Sequence, residues 1–460
     1  MKKVLLILLY LGVFSASAQL VSYPVAEHIN SENKFAFPSP HYKVSLIQGD
    51  HIIEDFVYCM NSMHTTNNSK TTSWVNFSFE GKVTVRVKHL RKEIDFAQIL
   101  PASKGIETKI IDQNTIEFEL EHTGHYSVEF EDDLLIEHPL LIFANPLEKD
   151  IPSPEDENVI YFGKGLHEIG DEYVIPKGKT VYLEGGAYVK GQFVSEGSHE
   201  VTIRGRGIMS GEDYAPRTHH HMIELKNANK IEIEGITMIH SPRFMVVLRG
   251  KDHYIHNVKM MGWWFSTDGI SAGQNTLIED CFFKVNDDAV KLYQSSTTVR
   301  RCTIWQLENG APFMISWNGS KDFGNCKVSD IDIIRVEHHW DNENLAVICA
   351  IHGGKANISD FEFDNIRIDN SKWRIFHLVT RPNRWGKWNP EKGSLSNFTF
   401  KNFYYHGKPQ IENLIMGHDR FHPIRNIQFE NIVIDGQQLK HLDRKHFIIH
   451  PEFTCNITLK

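Results

Sequence analysis

The sequence is poor in three features that would each point to a particular class of protein. It holds six cysteines in 460 residues, none paired as Cys-x-x-Cys, which argues against a disulfide-stapled scaffold and a structural zinc site. Basic residues do not predominate: 49 Lys and Arg stand against 58 Asp and Glu, a formal net charge of -9. A surface that coats nucleic acid is therefore not expected. A mean hydropathy of -0.34 excludes a polytopic membrane protein, and 41% hydrophobic residues exclude wholesale disorder.

Long hydrophobic runs are also missing, except at the N-terminus. Residues 1–3 include two lysines, residues 4–14 are almost continuously apolar, and residues 16–18 read Ala-Ser-Ala. This order is typical of a signal peptide, and the apolar run is too short to span a bilayer. We therefore expect residues 1–18 to be cleaved and the mature chain to begin near Gln19. The predicted location is secreted or periplasmic, with no transmembrane segment.

Residues 19–145 are predicted to form a β-sandwich. Short segments with period-two alternation follow one another without helical periodicity; they are Val44–Ile47, Trp74–Phe79, Val83–Val87, Thr115–Leu120 and Tyr126–Phe130. The Glu80-Gly81 pair between the second and third segments is typical of a hairpin turn. The acidic, proline-containing stretch 146–157 is predicted to be a linker.

Residues 158–460 are predicted to form a right-handed parallel β-helix, so the fold class is all-β. A polar residue or glycine followed by an apolar one recurs along this region, in Gly235–Met238, Asn257–Met260, Asp280–Phe283, Arg301–Ile304, Asp330–Ile333, Asn365–Ile368, Asn402–Tyr405 and Asn431–Ile434. The steps between repeats are 22, 23, 21, 29, 35, 37 and 29 residues. Such periods indicate a solenoid, and the β-branched and aromatic content indicates strands. The repeated Asn and Asp fit turns in the left-handed conformation, and segments 180–183 and 201–205 fit as opening rungs.

Two cysteines fall at equivalent positions of consecutive repeats. Cys281 and Cys302 both follow the polar turn residue, so the coil would place them one above the other. A disulfide and a pair of stacked free thiols are equally compatible with this placement.

Three aspartates form the candidate catalytic cluster. Asp268, in Thr-Asp-Gly, precedes the Asp287-Asp288 pair by 19 and 20 residues, close to one rung. Three carboxylates brought together repel one another unless they share protons, an arrangement that general acid–base hydrolysis of a glycosidic bond uses. Each motif alone is more often an ordinary turn or a solvated loop. Their joint spacing favours the catalytic interpretation.

Aromatic residues next to these motifs are candidate sugar platforms. Trp263 and Trp264 precede the first motif, and Tyr293 follows the second. Aromatic faces stack on sugar rings, and tandem tryptophans are costly to expose without a ligand.

These motifs, with the continuation Asn-Asp-Asp-Ala-Val-Lys-Leu-Tyr and the preceding sandwich, resemble glycoside hydrolase family 49, the dextranases and isopullulanase. That family lies within the pectinase-like superfamily of parallel β-helix enzymes. The resemblance covers essentially the whole mature chain and implies an inverting hydrolase. It implies Asp287 as general acid, with Asp268 and Asp288 activating water. Lys291 and Tyr293 would contact sugar hydroxyls.

The substrate is expected to be a neutral polysaccharide, cleaved internally as by a dextranase. Polygalacturonases carry Gly-His-Gly and Arg-Ile-Lys motifs, and this sequence has neither; residues 310–319 occupy the corresponding stretch. Exo action, and a galactan, pullulan or pectin-type substrate, stay open. A non-catalytic carbohydrate-binding β-helix and a polysaccharide lyase are the competing classes, although a lyase would need uronate.

Weaker candidates lie on other rungs. His219, His220 and His221 could bind metal but fit a polar groove wall better, and His352 is a candidate for the groove. Sugar contact and plain packing are about equally expected for the remaining tryptophans: Trp305, Trp317, Trp340, Trp385 and Trp388. No cofactor and no metal is expected, and the sequence leaves the oligomeric state open.

Overall fold

The computed structural model describes residues 19–62, 70–218, 221–340, 343–385 and 391–460. The predicted signal peptide, residues 1–18, lies outside the described residues. Regular structure is β throughout this part of the chain, apart from two single-turn 3-10 helices, Ala102–Lys104 and Pro451–Phe453. No helix among the described residues has the length and apolar character needed to cross a bilayer. The predicted all-β fold, a β-sandwich followed by a parallel β-helix, is confirmed.

Within its described residues, 19–62 and 70–145, the sandwich contains twelve strands in two sheets. They are β1 Gln19–Ser22, β2 Phe37–Pro38, β3 Tyr42–Gln48, β4 His51–Asp55, β5 Tyr58–Asn61, β6 Thr71–Glu80, β7 Val83–His89, β8 Gln98–Leu100, β9 Lys109–Asp112, β10 Thr115–Leu120, β11 Gly124–Glu129 and β12 Leu140–Asn145. One sheet has the order β2-β5-β6-β12-β11-β8, with β1 also paired to β6, and the other has the order β4-β3-β7-β10-β9.

The expected hairpin at Glu80-Gly81 is wrong. Strands β6 and β7 flank this turn but belong to different sheets, since β6 pairs with β12 while β7 pairs with β3 and β10. The turn therefore arches from one layer of the sandwich to the other. Val75 and Phe77 of β6 and Val85 of β7 meet in the core between the layers.

The coil follows with 28 strands. They are β13 Val159–Phe162, β14 Gly165–Val174, β15 Thr180–Leu183, β16 Ala187–Glu196, β17 Thr202–Gly205, β18 Ile208–Ser210, β19 Ile223–Asn229, β20 Glu232–Glu234, β21 Thr237–Ile239, β22 Val246–His256, β23 Lys259–Met261, β24 Ile270–Ser271, β25 Gln274–Glu279, β26 Phe282–Val285, β27 Val290–Lys291, β28 Thr298–Arg300, β29 Thr303–Gln306, β30 Phe313–Ser316, β31 Phe323–Val336, β32 Ile348–His352, β33 Asn357–Ile368, β34 Phe376–Thr380, β35 Ser394–Tyr405, β36 Asn413–Met416, β37 Ile424–Ile434, β38 Gln437–Gln438, β39 Phe447–Ile449 and β40 Thr454–Leu459.

The coil strands stack in parallel, rung over rung, and form three faces. One face contains β17, β20, β25 and β28, the second β18, β21, β23, β26 and β29, and the third β24, β27, β30, β32 and β34. On the second face Thr237 pairs with Lys259, Lys259 with Phe282, and Phe282 with Thr303. These pairings reproduce the steps of 22, 23 and 21 residues expected from the sequence.

The repeated polar residues do occupy left-handed turns. All eight starting residues of the repeats have positive φ, from 51° at Asn431 to 81° at Gly235. A short amide or carboxylate side chain lowers the cost of this conformation, because it hydrogen-bonds locally. The residue type at these positions therefore sets where each rung bends.

A second column of left-handed residues forms what we call the asparagine ladder: Asp360, Asn397, Asn426 and Asn456. Each carboxamide donates to the residue one rung below, with Nδ2-to-Oδ1 distances of 3.0, 2.9 and 3.0 Å. The ladder ties four successive rungs together at the solvent-exposed edge of the coil.

The sandwich packs against the second face of the coil. Trp74 and Phe143 from the sandwich contact a buried layer that includes Phe282 and Trp305 of the coil. An ion pair joins the two parts, with Arg335 Nη2 lying 2.5 Å from Glu129 Oε2 and neither side chain exposed. This attachment leaves the turns between the second and third faces available for a site.

The cysteines expected to stack do so as free thiols. Cys281 and Cys302 precede the paired strands β26 and β29 and are both buried and unbonded. Of the two arrangements left open by the sequence, the structure shows the reduced one.

Candidate functional site

The three aspartates lie in consecutive turns that lead from the second face to the third. Asp268 stands in the turn between β23 and β24, and Asp287 and Asp288 stand in the turn between β26 and β27. Because Ile270 pairs with Val290, the parallel register places Asp268 directly against Asp288. One oxygen of each of the three carboxylates lies within 4.8 Å of one oxygen of the others, so the predicted convergence is observed.

Lys291 completes this carboxylate cluster. Its Nζ lies 2.6 Å from Asp268 Oδ1 and also contacts Asp288 Oδ2. Asp268, Asp288 and Lys291 are all buried, with 2%, 1% and 8% of their surface exposed. Lys291 was expected to contact sugar hydroxyls, whereas its ammonium is occupied by two carboxylates.

Asp287 is held differently from the other two acids. Its Oδ1 accepts from the backbone N–H of Asp288 at 3.0 Å, and its Oδ2 accepts from Asn309 Nδ2 at 2.9 Å. It forms no ion pair with Lys291 within 4.0 Å among the described contacts, and it is partly exposed to the cleft. Asp287 is therefore the carboxyl group that a ligand in the cleft can reach.

Amide groups from neighbouring rungs fix this arrangement. Asn309 is positioned by its backbone N–H, which donates to Asn286 Oδ1 at 3.0 Å, while Asn286 Nδ2 donates to Trp263 O at 2.9 Å. The next residue, Gly310, has φ +83°, and a Cβ there would lie 2.2 Å from the carbonyl carbon of Asp287. Only glycine lets the third turn pass this closely beneath the aspartate pair.

Burial and mutual repulsion hold protons on the cluster. Burial, followed by the charge of Asp288, raises the pKa of Asp287 to about 6, although Lys291 opposes the shift. Burial and the charge of Asp287 likewise raise the pKa of Asp268. Burial lowers the pKa of Lys291, but Asp268 and Asp288 outweigh it and raise that pKa well above its usual value. The cluster can therefore hold a protonated carboxyl beside a cation and a carboxylate.

The same acids are the metal-ligand candidates among the described residues. Lys291 Nζ, however, already occupies the space between Asp268 and Asp288. A cation there would face the ammonium, so the cluster does not have the donor set of a divalent-metal site.

The cluster lies at the base of an open cleft of about 1190 Å³. Aromatic side chains line the cleft on both sides of the cluster; they are Phe244, Phe265, Tyr293, Trp317, Trp340 and Trp385. Tyr293 and Trp317, both candidate sugar contacts, thus line the cleft, and so do Trp340 and Trp385, for which the sequence left packing and sugar contact equally open. Such walls can stack several sugar rings along an extended chain.

Three expected sugar contacts are corrected. Trp263 and Trp264 are not among the described residues that line the cleft; Trp263 packs against the layer between sandwich and coil, and Trp264 meets it edge-on with ring centres 5.5 Å apart. Phe265, the next residue, is the one that faces the cleft. His352 is 2% exposed and bonds Ser316 Oγ at 2.9 Å and Ala356 O at 2.9 Å, so it supports a turn.

The remaining candidates divide between core, cleft and undescribed segments. Trp305 is fully buried and donates from Nε1 to Glu337 Oε1 at 2.7 Å. His221 lines the cleft. His219, His220 and Trp388 lie outside the described residues.

Asn309 is a candidate site residue that the sequence did not reveal. It falls in a turn, after a buried strand, where asparagine is ordinary. The sequence feature that could have identified Asn309 is its position 22 residues beyond Asp287, which is one rung further along the coil.

The chain is similar to known glycoside hydrolases. Residues 183–446 match glycosyl hydrolases family 28. The chain is 25% identical over 358 residues to a dextranase from Arthrobacter sp. (strain CB-8), a match that covers 59% of this chain and only 56% of that protein. It is 23% identical over 407 residues to an isopullulanase from Aspergillus niger, covering 74% of this chain and 72% of the relative.

The fold agrees with a solved structure over nearly its whole length. Dex49A from Penicillium minioluteum superposes with a TM-score of 0.76, covering 96% of this chain and 98% of that one, at 17% identity. The chain therefore belongs to glycosyl hydrolases family 28.

Proposed function

We propose that the protein is a secreted, inverting glycoside hydrolase of dextranase type that cleaves within the α-glucan backbone of a polysaccharide. The observation that carries the proposal is Asp287: a carboxyl group with a raised pKa, reachable from an aromatic-lined cleft, beside two carboxylates held by one lysine. The relatives named dextranase and isopullulanase support the substrate class. The lining of the cleft extends from Arg217 on earlier rungs to Trp385 on later rungs, which supports cleavage within a chain.

In the proposed reaction Asp287 is the general acid. Its proton passes to the glycosidic oxygen as the bond from that oxygen to the anomeric carbon breaks. A water molecule, deprotonated by Asp268 or Asp288, adds to the same carbon from the opposite face. A positioned acid or base contributes about 10²- to 10⁴-fold in rate.

Lys291 gives Asp268 and Asp288 their proposed roles. The ammonium contacts one oxygen of each acid, Asp268 Oδ1 and Asp288 Oδ2. A carboxylate held in this way can still accept a proton from water. We therefore assign both acids to water activation rather than to a covalent intermediate.

A retaining hydrolase is the second candidate, and the spacing of the cluster favours it. Retaining enzymes usually have catalytic carboxyl groups about 5–5.5 Å apart, while inverting ones leave about 6.5–9.5 Å for a water. Here the closest oxygens lie within 4.8 Å. We prefer inversion because Lys291 engages both acids that could serve as the nucleophile.

The proposal is tested by screening the wild-type protein for reducing-sugar release from dextran, pullulan, galactan and polygalacturonate. Asp287→Asn is the matched inactive variant, and Asp150→Asn, an exposed change in the predicted linker, is its control. We expect release from an α-glucan that Asp287→Asn abolishes and Asp150→Asn preserves. No release from any polymer would instead favour a binding module, and an ultraviolet-absorbing product would indicate a lyase.

Secretion and the domain limits belong to the same proposal. We propose that residues 1–18 are removed on export, that 19–145 form the sandwich domain, and that 146–157 link it to the coil of 158–460. N-terminal sequencing of the exported protein should begin near Gln19, and a start at Met1 would contradict cleavage.

A further inference from the structure

The walls of the cleft carry an excess of positive charge. Three arginines, Arg217, Arg243 and Arg249, line it on the rungs before the carboxylate cluster, and Lys321 and Arg384 line it on the rungs after. All five residues are exposed. Apart from the cluster itself, Asp322 is the only acid among the described lining residues. Five cations thus surround one cleft on a protein whose formal net charge is -9.

The side-chain hydrogen bonds of Arg243 and Arg249 go to neutral groups. Arg243 Nη2 donates to the backbone carbonyl of Arg217 at 2.9 Å. Arg249 Nη1 donates to Ser271 Oγ at 3.2 Å and to two backbone carbonyls at 3.3 Å. These hydrogen-bond partners are neutral, although the charge of Glu224 also acts on Arg249. Asp322, in turn, accepts at Oδ1 from the backbone N–H of Asn357 at 2.7 Å.

The carboxylate cluster does not neutralise the walls by contact. Its own ammonium, Lys291, is the cation bonded to Asp268 and Asp288, and Asp287 is bonded by Asn309 and the Asp288 backbone. The described ion pairs of the cluster contain none of the five wall cations. The cleft therefore has an acidic centre and cationic flanks.

From this arrangement we infer that the natural polysaccharide carries anionic groups, carboxylate or sulfate, on the sugars that occupy the flanks of the cleft. Like charges held together cost free energy unless an anion offsets them. A neutral glycan needs only amides, hydroxyls and aromatic faces, whereas arginine matches carboxylate and sulfate oxygens bidentately. A cationic cleft also concentrates an anionic polymer at its mouth.

This inference rests on the proposed function and deepens it, because it keeps the backbone hydrolysis and changes the charge of the substrate. It revises the expectation of a neutral polymer, which depended on the missing Arg-Ile-Lys motif. The cations of this cleft come instead from separate turns, so no single sequence motif contains them. The anionic groups belong on the flanking sugars, since the acids would repel an anion at the scissile bond.

The test compares three polymers that share one backbone: dextran, carboxymethyl-dextran and dextran sulfate. Binding is measured with full-length Asp287→Asn protein by affinity electrophoresis, in low salt and in about 0.3 M NaCl. We expect at least one charged polymer to bind about ten-fold or more tightly than dextran, and the preference to shrink in salt because ions screen exposed charges. The carboxymethyl and sulfate arms distinguish the two anions.

Two variants locate the effect. Arg243→Gln and Lys321→Gln should each reduce the preference roughly three- to ten-fold, while Lys226→Gln, an exposed lysine beside Glu224 and outside the cleft lining, should leave it unchanged. Equal binding of all three polymers, or an equal loss in Lys226→Gln, would overturn the inference.

The two proposals can fail separately. Hydrolysis of dextran by the wild-type protein with no preference for the charged forms would leave the proposed function standing and refute the anionic substrate. A cleft-dependent preference for a charged polymer without hydrolysis would support the anionic ligand and refute the proposed function.

Discussion

Two columns of stacked side chains on the same coil show how one geometry serves two purposes. In the asparagine ladder, Asn426 donates to Asn397 and accepts from Asn456, each at about 3 Å. In the carboxylate cluster the same rung-over-rung stacking sets Asp268 against Asp288. An amide is both donor and acceptor, so a column of amides satisfies itself. A column of ionised acids cannot, and it needs a proton or a cation.

Stacking therefore stabilises amides, which hydrogen-bond to one another, whereas it brings carboxylates into mutual repulsion. The strain appears as raised pKa values for Asp268 and Asp287 and as the capture of Lys291 between two acids. Four substitutions test this contrast between amides and carboxylates, and their expected effects decrease in the order given.

The first change removes the reachable acid. Asp287→Asn should lower hydrolysis about 10²- to 10⁴-fold, since the leaving oxygen loses its proton donor. Its thermal midpoint should stay the same or rise, because one source of repulsion disappears. Initial rates on dextran and a thermal melt measure both. Activity within about three-fold of wild type would contradict the role of Asp287.

The second change removes the cation that the acids share. Lys291→Met should cost about 3–5 kcal/mol in the free energy of unfolding, because it leaves buried carboxylates unpaired. Urea unfolding at pH 7 measures this loss. The control is the double variant with Asp268→Asn, which should recover part of it. Equal stability of the single and double variants would show that the ion pair is not what the acids require.

The third change interrupts the ladder. Asn426→Ala loses two hydrogen bonds and places alanine at φ 55°, which together should cost about 1–3 kcal/mol. Asn426→Gly tolerates the backbone and should cost less. Both variants should keep wild-type hydrolysis, because the ladder lies on another edge of the coil. Urea unfolding and dextran rates are compared, and a loss of activity at wild-type stability would contradict the separation of the two columns.

The fourth change tunes the acid without removing it. Asp287 donates its proton only below its pKa of about 6, so the rate should fall as pH rises through that value. Asn309 stabilises the ionised form by donating to Oδ2. Asn309→Ala should therefore move this limb upward by about one pH unit.

The control for this shift is Asn318→Ala. Asn318 lines the same cleft but donates to Trp385 O rather than to a carboxylate, so its loss should not move the limb. A lower rate in Asn309→Ala with an unmoved limb would mean that Asn309 acts only on local structure.

The raised pKa also has a consequence for stability. The folded-state pKa of Asp287, about 6, exceeds the unfolded value of about 3.9. Between these pH values the folded protein binds more protons, so this group's contribution to stability falls as pH rises from about 4 to 6. Asp287→Asn should lose this dependence, and urea midpoints across that range measure it.

The coil could be predicted because each rung has a recognisable residue type at its bend. The bends require left-handed residues, and Asn257, Asp280 and Asn365 are among the residue types that adopt that conformation. The spacing of those residues therefore gave the strand register, and from it the meeting of Asp268 with Asp287 and Asp288.

Features that depend on the direction of a side chain could not be predicted in the same way. Trp263 and Trp264 sit in the right turn, but the turn directs Phe265 to the cleft. The Glu80-Gly81 pair suits a hairpin and an arch between layers equally well. The contacts of Lys291 with Asp268 and of Asn309 with Asp287 form across rungs, where a distance of a few ångströms decides the contact.

The anomeric configuration of the first product decides most directly between inversion and retention. Wild-type protein is mixed with dextran in deuterated buffer, and proton NMR spectra are recorded before mutarotation equilibrates the new reducing ends. If Asp268 and Asp288 activate water, as we propose from their contacts with Lys291, the reaction inverts the anomeric carbon. The β-anomer should then appear first from an α-linked chain. Initial release of the α-anomer would show retention and would contradict the assignment of both acids to water activation.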